Sequence, residues 1–142
     1  ALPISAVSPD EKIIATASTD RTVKIWETSS GKLLYNIDSF SSWVRFARFS
    51  PDGSKMLTSS GDKTISVWDT KTFKIIYKIA GFESEVRIAE FSPDSKTILT
   101  VDWQLSLQLW ESASGKSVFK IHEKDKSHDR QTLRTMKVDL SE

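Results

Sequence analysis

The chain has 142 residues, a formal net charge of +1 and no cysteine. This length fits one domain with a modest core, and 38% hydrophobic with 27% charged residues is ordinary for a folded protein. The near-neutral charge argues against a general binder of nucleic acids or acidic membranes, and the lack of cysteine excludes disulfides and thiolate chemistry. No apolar run reaches the roughly 18 residues of a membrane-spanning helix. We expect a cytoplasmic protein, and a nuclear location also fits the sequence.

A unit of 42 residues is repeated three times without a gap. The tripeptide Ser-Pro-Asp begins at positions 8, 50 and 92, and the differences 50 − 8 and 92 − 50 are both 42. A tryptophan recurs at the same spacing, at Trp26, Trp68 and Trp110. Because a repeated unit of this size is one supersecondary structure, the repeat decides which folds need to be considered.

Each unit contains four short apolar segments that predict β-strands separated by turns. The first strand ends at Ser-Pro-Asp, because proline lacks the amide donor that a strand needs. The second strand follows at residues 13–18, 55–60 and 97–101. A tight turn comes next, at residues 19–20, 61–62 and 103–104. The third strand ends at the repeated tryptophan, and a turn around Gly31, Thr72 or Gly115 leads to the fourth.

Four strands in about 42 residues is the period of a β-propeller blade. The segments SPDEKIIATASTDRTVKIWE and SPDGSKMLTSSGDKTISVWD resemble WD-repeat β-propeller sequences. The signature dipeptide of that family is matched by Trp26-Glu27, Trp68-Asp69 and Trp110-Glu111. The resemblance implies an all-β fold of four-stranded antiparallel blades and says little about function.

The repeats predict an incomplete propeller of three blades plus an orphan strand. We expect blades at about residues 1–38, 43–80 and 85–122, a charged loop insertion at 123–134 and the first strand of a fourth blade at 135–141. Three blades alone would leave an apolar face open at each end. The chain is therefore expected to be a piece of a longer propeller, to close a ring with copies of itself or another protein, or to form an open fan.

The resemblance also implies a buried relay of histidine, aspartate, serine or threonine, and the signature tryptophan in each blade. The matching structural residues are Thr16, Asp20, Trp26, Thr58, Asp62, Trp68, Thr100 and Trp110. Phe40 and Phe82 stand where the relay has its histidine, and Gln104 replaces the third aspartate. We expect both phenylalanines to pack as apolar lids, because a buried Asp62 without its partner would be costly.

The sequence contains no constellation that supports catalysis, a cofactor or a metal site. The glycines lie at turns and form no phosphate-binding loop, and no serine lies in a G-x-S-x-G elbow. His122 and His128 have acidic neighbours, but the segment HEKDKSHDRQ alternates in charge and is interpreted as a solvated loop. We expect a protein that is not an enzyme and has no cofactor.

One face of the predicted blades combines arginine with tryptophan. In this family, the face that bears the loop into each first strand and the tight turn commonly carries partners. By position that face receives Phe40, Trp43, Arg45, Gly61, Phe82, Glu85, Arg87 and Trp103, with Pro3 and Thr19 from the first blade. Arginine and tryptophan are typical of interface hot spots, and two arginines suit an acidic or phosphorylated peptide. The alternative is that the tryptophans pack on loops and the arginines pair with Glu85 or Glu90.

These observations predict a non-catalytic scaffold that binds protein or peptide partners, with further blades from the same chain or an oligomer and no membrane. An RNA- or ribonucleoprotein-associated propeller is one alternative, for which Lys32, Lys74 and Lys116 would form a weak basic rim. The preferred explanation of these lysines is a solvated edge whose charges discourage pairing of strands. A sensor or regulatory domain of a longer multidomain protein is the other alternative.

Overall fold

The computed structural model describes residues 5–121, which form three separate four-stranded sheets. The first sheet contains β1 (Ser5–Val7), β2 (Ile13–Ala17), β3 (Val23–Glu27) and β4 (Leu33–Ile37). The second contains β5 (Val44–Phe49), β6 (Lys55–Ser60), β7 (Thr64–Asp69) and β8 (Ile75–Ile79). The third contains β9 (Val86–Phe91), β10 (Thr97–Asp102), β11 (Leu107–Glu111) and β12 (Ser117–Ile121).

Each sheet pairs its strands antiparallel and in sequence order, as a blade does. The predicted all-β fold of four-stranded antiparallel blades is therefore confirmed. The predicted second strands agree within one residue, and β10 extends to Asp102 because that residue pairs with Val86 across a bulge. The predicted insertion at 123–134 and the orphan strand at 135–141 lie outside the described residues. Within residues 5–121, no helix is long and apolar enough to cross a membrane.

The apolar core lies between neighbouring blades rather than within any one of them. Adjacent residues of β6 show this, because Met56 faces the first blade and Leu57 faces the third, and both are fully buried. The first interface also contains Ala15, Ala17, Val23, Ile25, Ile37, Val44, Ala47, Trp68 and Phe73. The second also contains Phe46, Ile65, Val67, Ile79, Phe82, Val86, Ala89, Ile98 and Trp110. Alternation of side chains along each strand lets one blade fill two interfaces.

The turn between β7 and β8 differs in detail from the sequence expectation. The sequence predicts this turn around Thr72, but the residue with the left-handed backbone is Phe73, at φ 53°. The equivalent residues in the other blades are Gly31 and Gly115, at φ 72° and 76°. A bulky residue adopts this conformation at a cost. The ring of Phe73 offsets that cost because it is buried and lies 4.9 Å from the ring of Tyr35 in the first blade.

The signature tryptophans are anchored by a hydrogen bond to a threonine in every blade. Each indole Nε1 donates to a threonine Oγ1 on the second strand, at distances of 3.0, 3.0 and 2.9 Å. The pairs are Trp26–Thr16, Trp68–Thr58 and Trp110–Thr100. The tryptophan–threonine half of the relay is therefore intact in all three blades.

The two phenylalanines at the histidine position pack against these indoles. The ring of Phe40 lies 5.7 Å from that of Trp68, and the ring of Phe82 lies 5.7 Å from that of Trp110. Phe82 is buried and Phe40 is half-buried. Both rings thus act as the apolar lids expected from the sequence, because aromatic pairs at this separation attract each other while excluding water.

The relay aspartates of the first two blades, Asp20 and Asp62, form hydrogen bonds with residues other than Thr16 and Thr58. Asp20 is exposed and accepts hydrogen bonds from Thr22, while the Thr16 hydroxyl donates to the carbonyl oxygen of Lys24 at 3.5 Å. Asp62 accepts hydrogen bonds from the hydroxyls of Ser41 at 2.6 Å and Thr64 at 2.5 Å, so its carboxylate is hydrogen-bonded although Phe40 stands at the histidine position. Burial alone would raise the pKa of Asp62, but these hydrogen bonds and Lys78 together lower it.

The third blade carries a buried aspartate that sequence reasoning missed. Asp102 is 1% exposed, and its Oδ1 accepts from the backbone N–H groups of Gln104 and Ser106 at 3.0 and 2.9 Å. It therefore caps the tight turn from two residues before the expected position, which Gln104 occupies. The sequence does contain a hint of this role. Asp102 stands at the repeat position that Ser60 and Ser18 occupy in the other blades, two residues before the position of the missing aspartate.

Replacing Trp68 with alanine should destabilise the chain by about 3–5 kcal/mol, as expected for truncation of a buried aromatic side chain. The free energy of unfolding is measured by urea denaturation. Trp43→Ala is the matched control, because Trp43 is 47% exposed, and it should cost no more than about 1 kcal/mol. A Trp68→Ala cost as small as that of the control would contradict the assigned core.

The lowered pKa of Asp62 predicts a pH-dependent stability difference between the natural chain and Asp62→Asn. The ionised carboxylate stabilises the fold above its unfolded pKa near 3.8, and this contribution is lost as the pH falls through the lower folded pKa. The difference in unfolding free energy should be constant from pH 5 to 7 and shrink below about pH 4. Urea titrations at each pH measure it, and a difference unchanged down to pH 2 would refute the assignment.

Candidate interaction surface

Four of the predicted partner-binding residues come together at one end of the second and third blades. We call Arg45, Glu85, Arg87 and Trp103 the arginine–tryptophan cluster. Arg45 lies on β5 and Arg87 lies at the same repeat position on β9, since 87 − 45 is 42. Glu85 immediately precedes β9, and Trp103 lies in the tight turn between β10 and β11. The repeat thus positions two guanidinium groups side by side on neighbouring blades.

Both arginines lie over the indole of Trp103. The guanidinium carbon of Arg87 is 4.9 Å from the ring centroid, and that of Arg45 is 5.6 Å from it. Trp103 is 51% exposed, so the contact lies at the surface of the blades, where Arg87 is exposed and Arg45 is partly covered. Cation–π contacts of this kind restrict the guanidinium groups, which lowers the entropy that they lose on binding a partner.

The two arginines differ in their electrostatic partners. Arg45 Nη1 forms an ion pair with Glu85 Oε2 across the boundary between the blades, and the two side chains are each 22% exposed. Arg87 is exposed and has no carboxylate within ion-pair distance among residues 5–121. The expectation that arginine pairs with Glu85 thus describes Arg45 and not Arg87. The cluster carries one compensated and one uncompensated positive charge.

The same backbone hydrogen bond occurs in the second and third blades, and a surface tryptophan takes part in each. Trp43 provides the acceptor in the second blade, whereas Trp103 provides the donor in the third. In the second blade, Gly61 N donates to the carbonyl of Trp43 at 2.8 Å, and in the third, Trp103 N donates to the carbonyl of Glu85 at 3.2 Å. A Cβ at Gly61 would overlap the indole of Trp43, so the close approach requires glycine there. Of the two residues joined by this hydrogen bond, one in each blade is a tryptophan. Its partner is Gly61 in the second blade and Glu85 in the third.

The remaining predicted surface residues lie elsewhere. Phe40 and Phe82 pack on the signature tryptophans, so their rings belong to the blade cores and we leave them out of the candidate surface. Thr19 is exposed in the tight turn of the first blade. Pro3 lies outside the described residues.

A groove lies between the Ser-Pro-Asp turns of the first two blades, with a volume of about 420 Å³. At the next junction, Ser95 Oγ accepts a hydrogen bond from Asp52 N at 3.1 Å. Gly53 holds the repeat position of Ser95, since 95 − 53 is 42, and its lack of a side chain leaves the first junction open. Asp10 and Asp52 line this groove, but their carboxylates cap their own turns and the hydroxyls of Ser8 and Ser50 lower their pKa values.

No group of three or more metal-ligating side chains occurs within the part of the chain that the structure describes. His122 and His128, which the sequence placed in a charged loop, lie outside that part. The three repeated lysines, Lys32, Lys74 and Lys116, are all exposed next to the turn before the fourth strand of their blades. Their positions fit either explanation considered for them from the sequence.

Comparisons with known proteins agree with the observed architecture. The WD40 family model, described as WD domain, G-beta repeat, matches residues 2–27 and 31–69. An uncharacterized WD repeat-containing protein of Nostoc sp. is 48% identical over 42 residues, which are 30% of this chain and 3% of that protein. The match therefore has the length of one repeat and covers a very small part of that protein.

Solved structures show the same fold at low sequence identity. The RRP9 WD40 repeats superpose with a TM-score of 0.79 at 23% identity, over 83% of this chain and 37% of that one. The structure of U3-55K gives 0.79 at 22% identity, over 83% and 38%. The chain spans well under half of either structure, and such identities concern the fold alone. From the repeats, the three antiparallel sheets and these matches, we conclude that the chain contains WD40 repeats and that its sheets have the fold of β-propeller blades.

Proposed function

We propose that this chain is a non-catalytic scaffold that binds a protein or peptide partner through the arginine–tryptophan cluster and the neighbouring Trp43. The observation that carries the proposal is Arg87, an exposed guanidinium held over a half-exposed indole with no carboxylate partner among the described residues. A WD40 domain generally binds proteins, and this surface provides the groups with which it would do so.

The chemistry of the surface supports an acidic or phosphorylated partner. A guanidinium has five donors in a fixed fork that matches the oxygens of a carboxylate or phosphate. The indoles of Trp43 and Trp103 are 47% and 51% exposed, so each offers a large apolar area that is lost from water on binding. Arginine beside tryptophan is the composition of energetic hot spots in interfaces.

The rigidity of the surface also supports this function. Arg45 and Arg87 extend from strands, and the turn that bears Trp103 is capped by the buried Asp102. Arg45 and Arg87 are the extra residues of β-bulges, and the residues on either side of each are paired with β6 or β10. The sheets therefore hold the backbone of both arginines in place. A preorganised surface loses less entropy on binding than a mobile loop does.

The double variant Arg45→Ala with Arg87→Ala should lose binding to acidic and phosphorylated members of a synthetic peptide library. Its free energy of unfolding should change by less than about 1 kcal/mol, because partly exposed ion pairs add little stability. Lys32→Ala with Lys74→Ala is the control that removes the same charge elsewhere. Peptide capture and urea denaturation are the measurements, and undiminished capture by the arginine variant would move the binding surface to another face.

The exposed lysines of the three blades favour one second candidate, an RNA- or ribonucleoprotein-associated module. This function requires binding that falls steeply with salt, because each phosphate contact releases counterions. Titration of the chain with single-stranded RNA between 50 and 200 mM salt should show no such affinity if the scaffold function is right. Salt-dependent RNA binding that Lys32→Ala with Lys74→Ala abolishes would establish the alternative instead.

A further inference from the structure

The side chain of Glu85 has no structural task among the described residues except its ion pair with Arg45. The backbone of Glu85 supports the turn, because its carbonyl accepts from Trp103 N at 3.2 Å. The equivalent residue of the second blade is Trp43, whose carbonyl accepts from Gly61 N in the same way. The blade therefore needs the carbonyl at this position and does not need a carboxylate.

The contact of Glu85 with Arg45 has the chemistry expected of a bound acidic partner. One carboxylate oxygen, Oε2, accepts from one guanidinium nitrogen, Nη1, between residues of two different blades. Arg45 at the same time lies over the indole of Trp103, 5.6 Å from its centroid. Arg87 shares that indole and lacks such a carboxylate among residues 5–121.

We propose that Glu85 is an intramolecular competitor that occupies Arg45 in place of a ligand carboxylate. An incoming peptide with aspartate or glutamate side chains pairs first with Arg87, across the exposed indole of Trp103. A second carboxylate of the peptide can engage Arg45 only by displacing Glu85. This inference rests on the proposed function, because it concerns the same surface, and it names the ligand as an acidic peptide.

The partial exposure of the pair makes the exchange feasible. Both side chains keep 22% of their surface exposed, so the pair is in contact with solvent at the end of the blades rather than sealed in the core. Displacement of Glu85 leaves its carboxylate at a partly solvated site rather than in the core. A peptide with a single carboxylate pairs with Arg87 without meeting this competition. The second carboxylate of a longer acidic peptide gains less affinity than it would at a free arginine, because it must displace Glu85.

The competition predicts that Glu85→Gln binds an acidic peptide more tightly than the natural chain does. The gain should be about five- to tenfold, as expected when one charge-assisted hydrogen bond to Arg45 becomes available. Arg45→Gln alone should weaken binding less than Arg87→Gln does, because Glu85 already occupies the guanidinium of Arg45. Arg87→Gln should weaken binding about tenfold or more, because its guanidinium has no competitor.

The test uses the 142-residue chain and a fluorescein-labelled hexaglutamate peptide in low salt, with hexaglutamine as the neutral probe. Fluorescence polarisation gives the dissociation constants of the natural chain and of Glu85→Gln, Arg45→Gln, Arg87→Gln and the double variant Arg45→Gln with Glu85→Gln. The matched control is Glu83→Gln, which removes an exposed negative charge two residues away from Glu85. Thermal melts verify that each variant is folded, and glutamine preserves the size of each replaced glutamate.

The decisive result is a gain in Glu85→Gln that exceeds that of Glu83→Gln and disappears in the double variant. A gain that persists without Arg45, or equals that of the control, would show a general charge effect and overturn the competitor role. If Arg87→Gln still weakens binding in that case, the proposed function survives. If neither the natural chain nor Glu85→Gln prefers hexaglutamate to hexaglutamine, the inference is wrong, and the peptide-library experiment decides the proposed function separately.

Discussion

Burial of apolar side chains between neighbouring four-stranded sheets is the constraint on which this structure depends. A single blade has no core of its own, since residues next to each other on β6 face different neighbours. A blade between two neighbours must therefore present an apolar surface on both sides. The apolar residues recur every 42 positions because each blade meets this same requirement. Trp68 and Trp110 belong to these interfaces, and their hydrogen bonds to threonine hold the indoles at the correct depth.

The same constraint explains why the polar relay could be reduced without loss of the blade. Where Phe40 and Phe82 replace histidine, the rings add apolar contact to the indoles, which compensates for the missing hydrogen bonds. The aspartates then serve their own turns, and in the third blade Asp102 does so from a different position. Packing between sheets stabilises these blades more than the relay does.

The ends of the blades are free of that constraint, and the arginine–tryptophan cluster lies there. At one repeat position the second blade has Trp43 and the third has Glu85, although their carbonyls make the same turn contact. The blade specifies the backbone there and leaves the side chains open to selection for a partner. Arg45 and Arg87 occupy the same repeat position, so the fold places them side by side. Both contact Trp103, whose equivalent in the second blade is Gly61.

The sequence by itself determined the repeat, the number and order of strands, the threonine–tryptophan positions and the lid role of the phenylalanines. These features follow from spacing and side-chain type, which are local or strictly periodic properties of the chain. Only the tertiary structure decided that Arg45 pairs with Glu85 while Arg87 does not, that Phe73 adopts a left-handed backbone, and that Asp102 is buried. These features depend on distances between different blades or on the balance between strain and burial. The spacing of residues along the sequence gives neither the distances between blades nor the balance of strain and burial. Arg45 and Glu85, for example, are 40 positions apart and meet only after the sheets have packed.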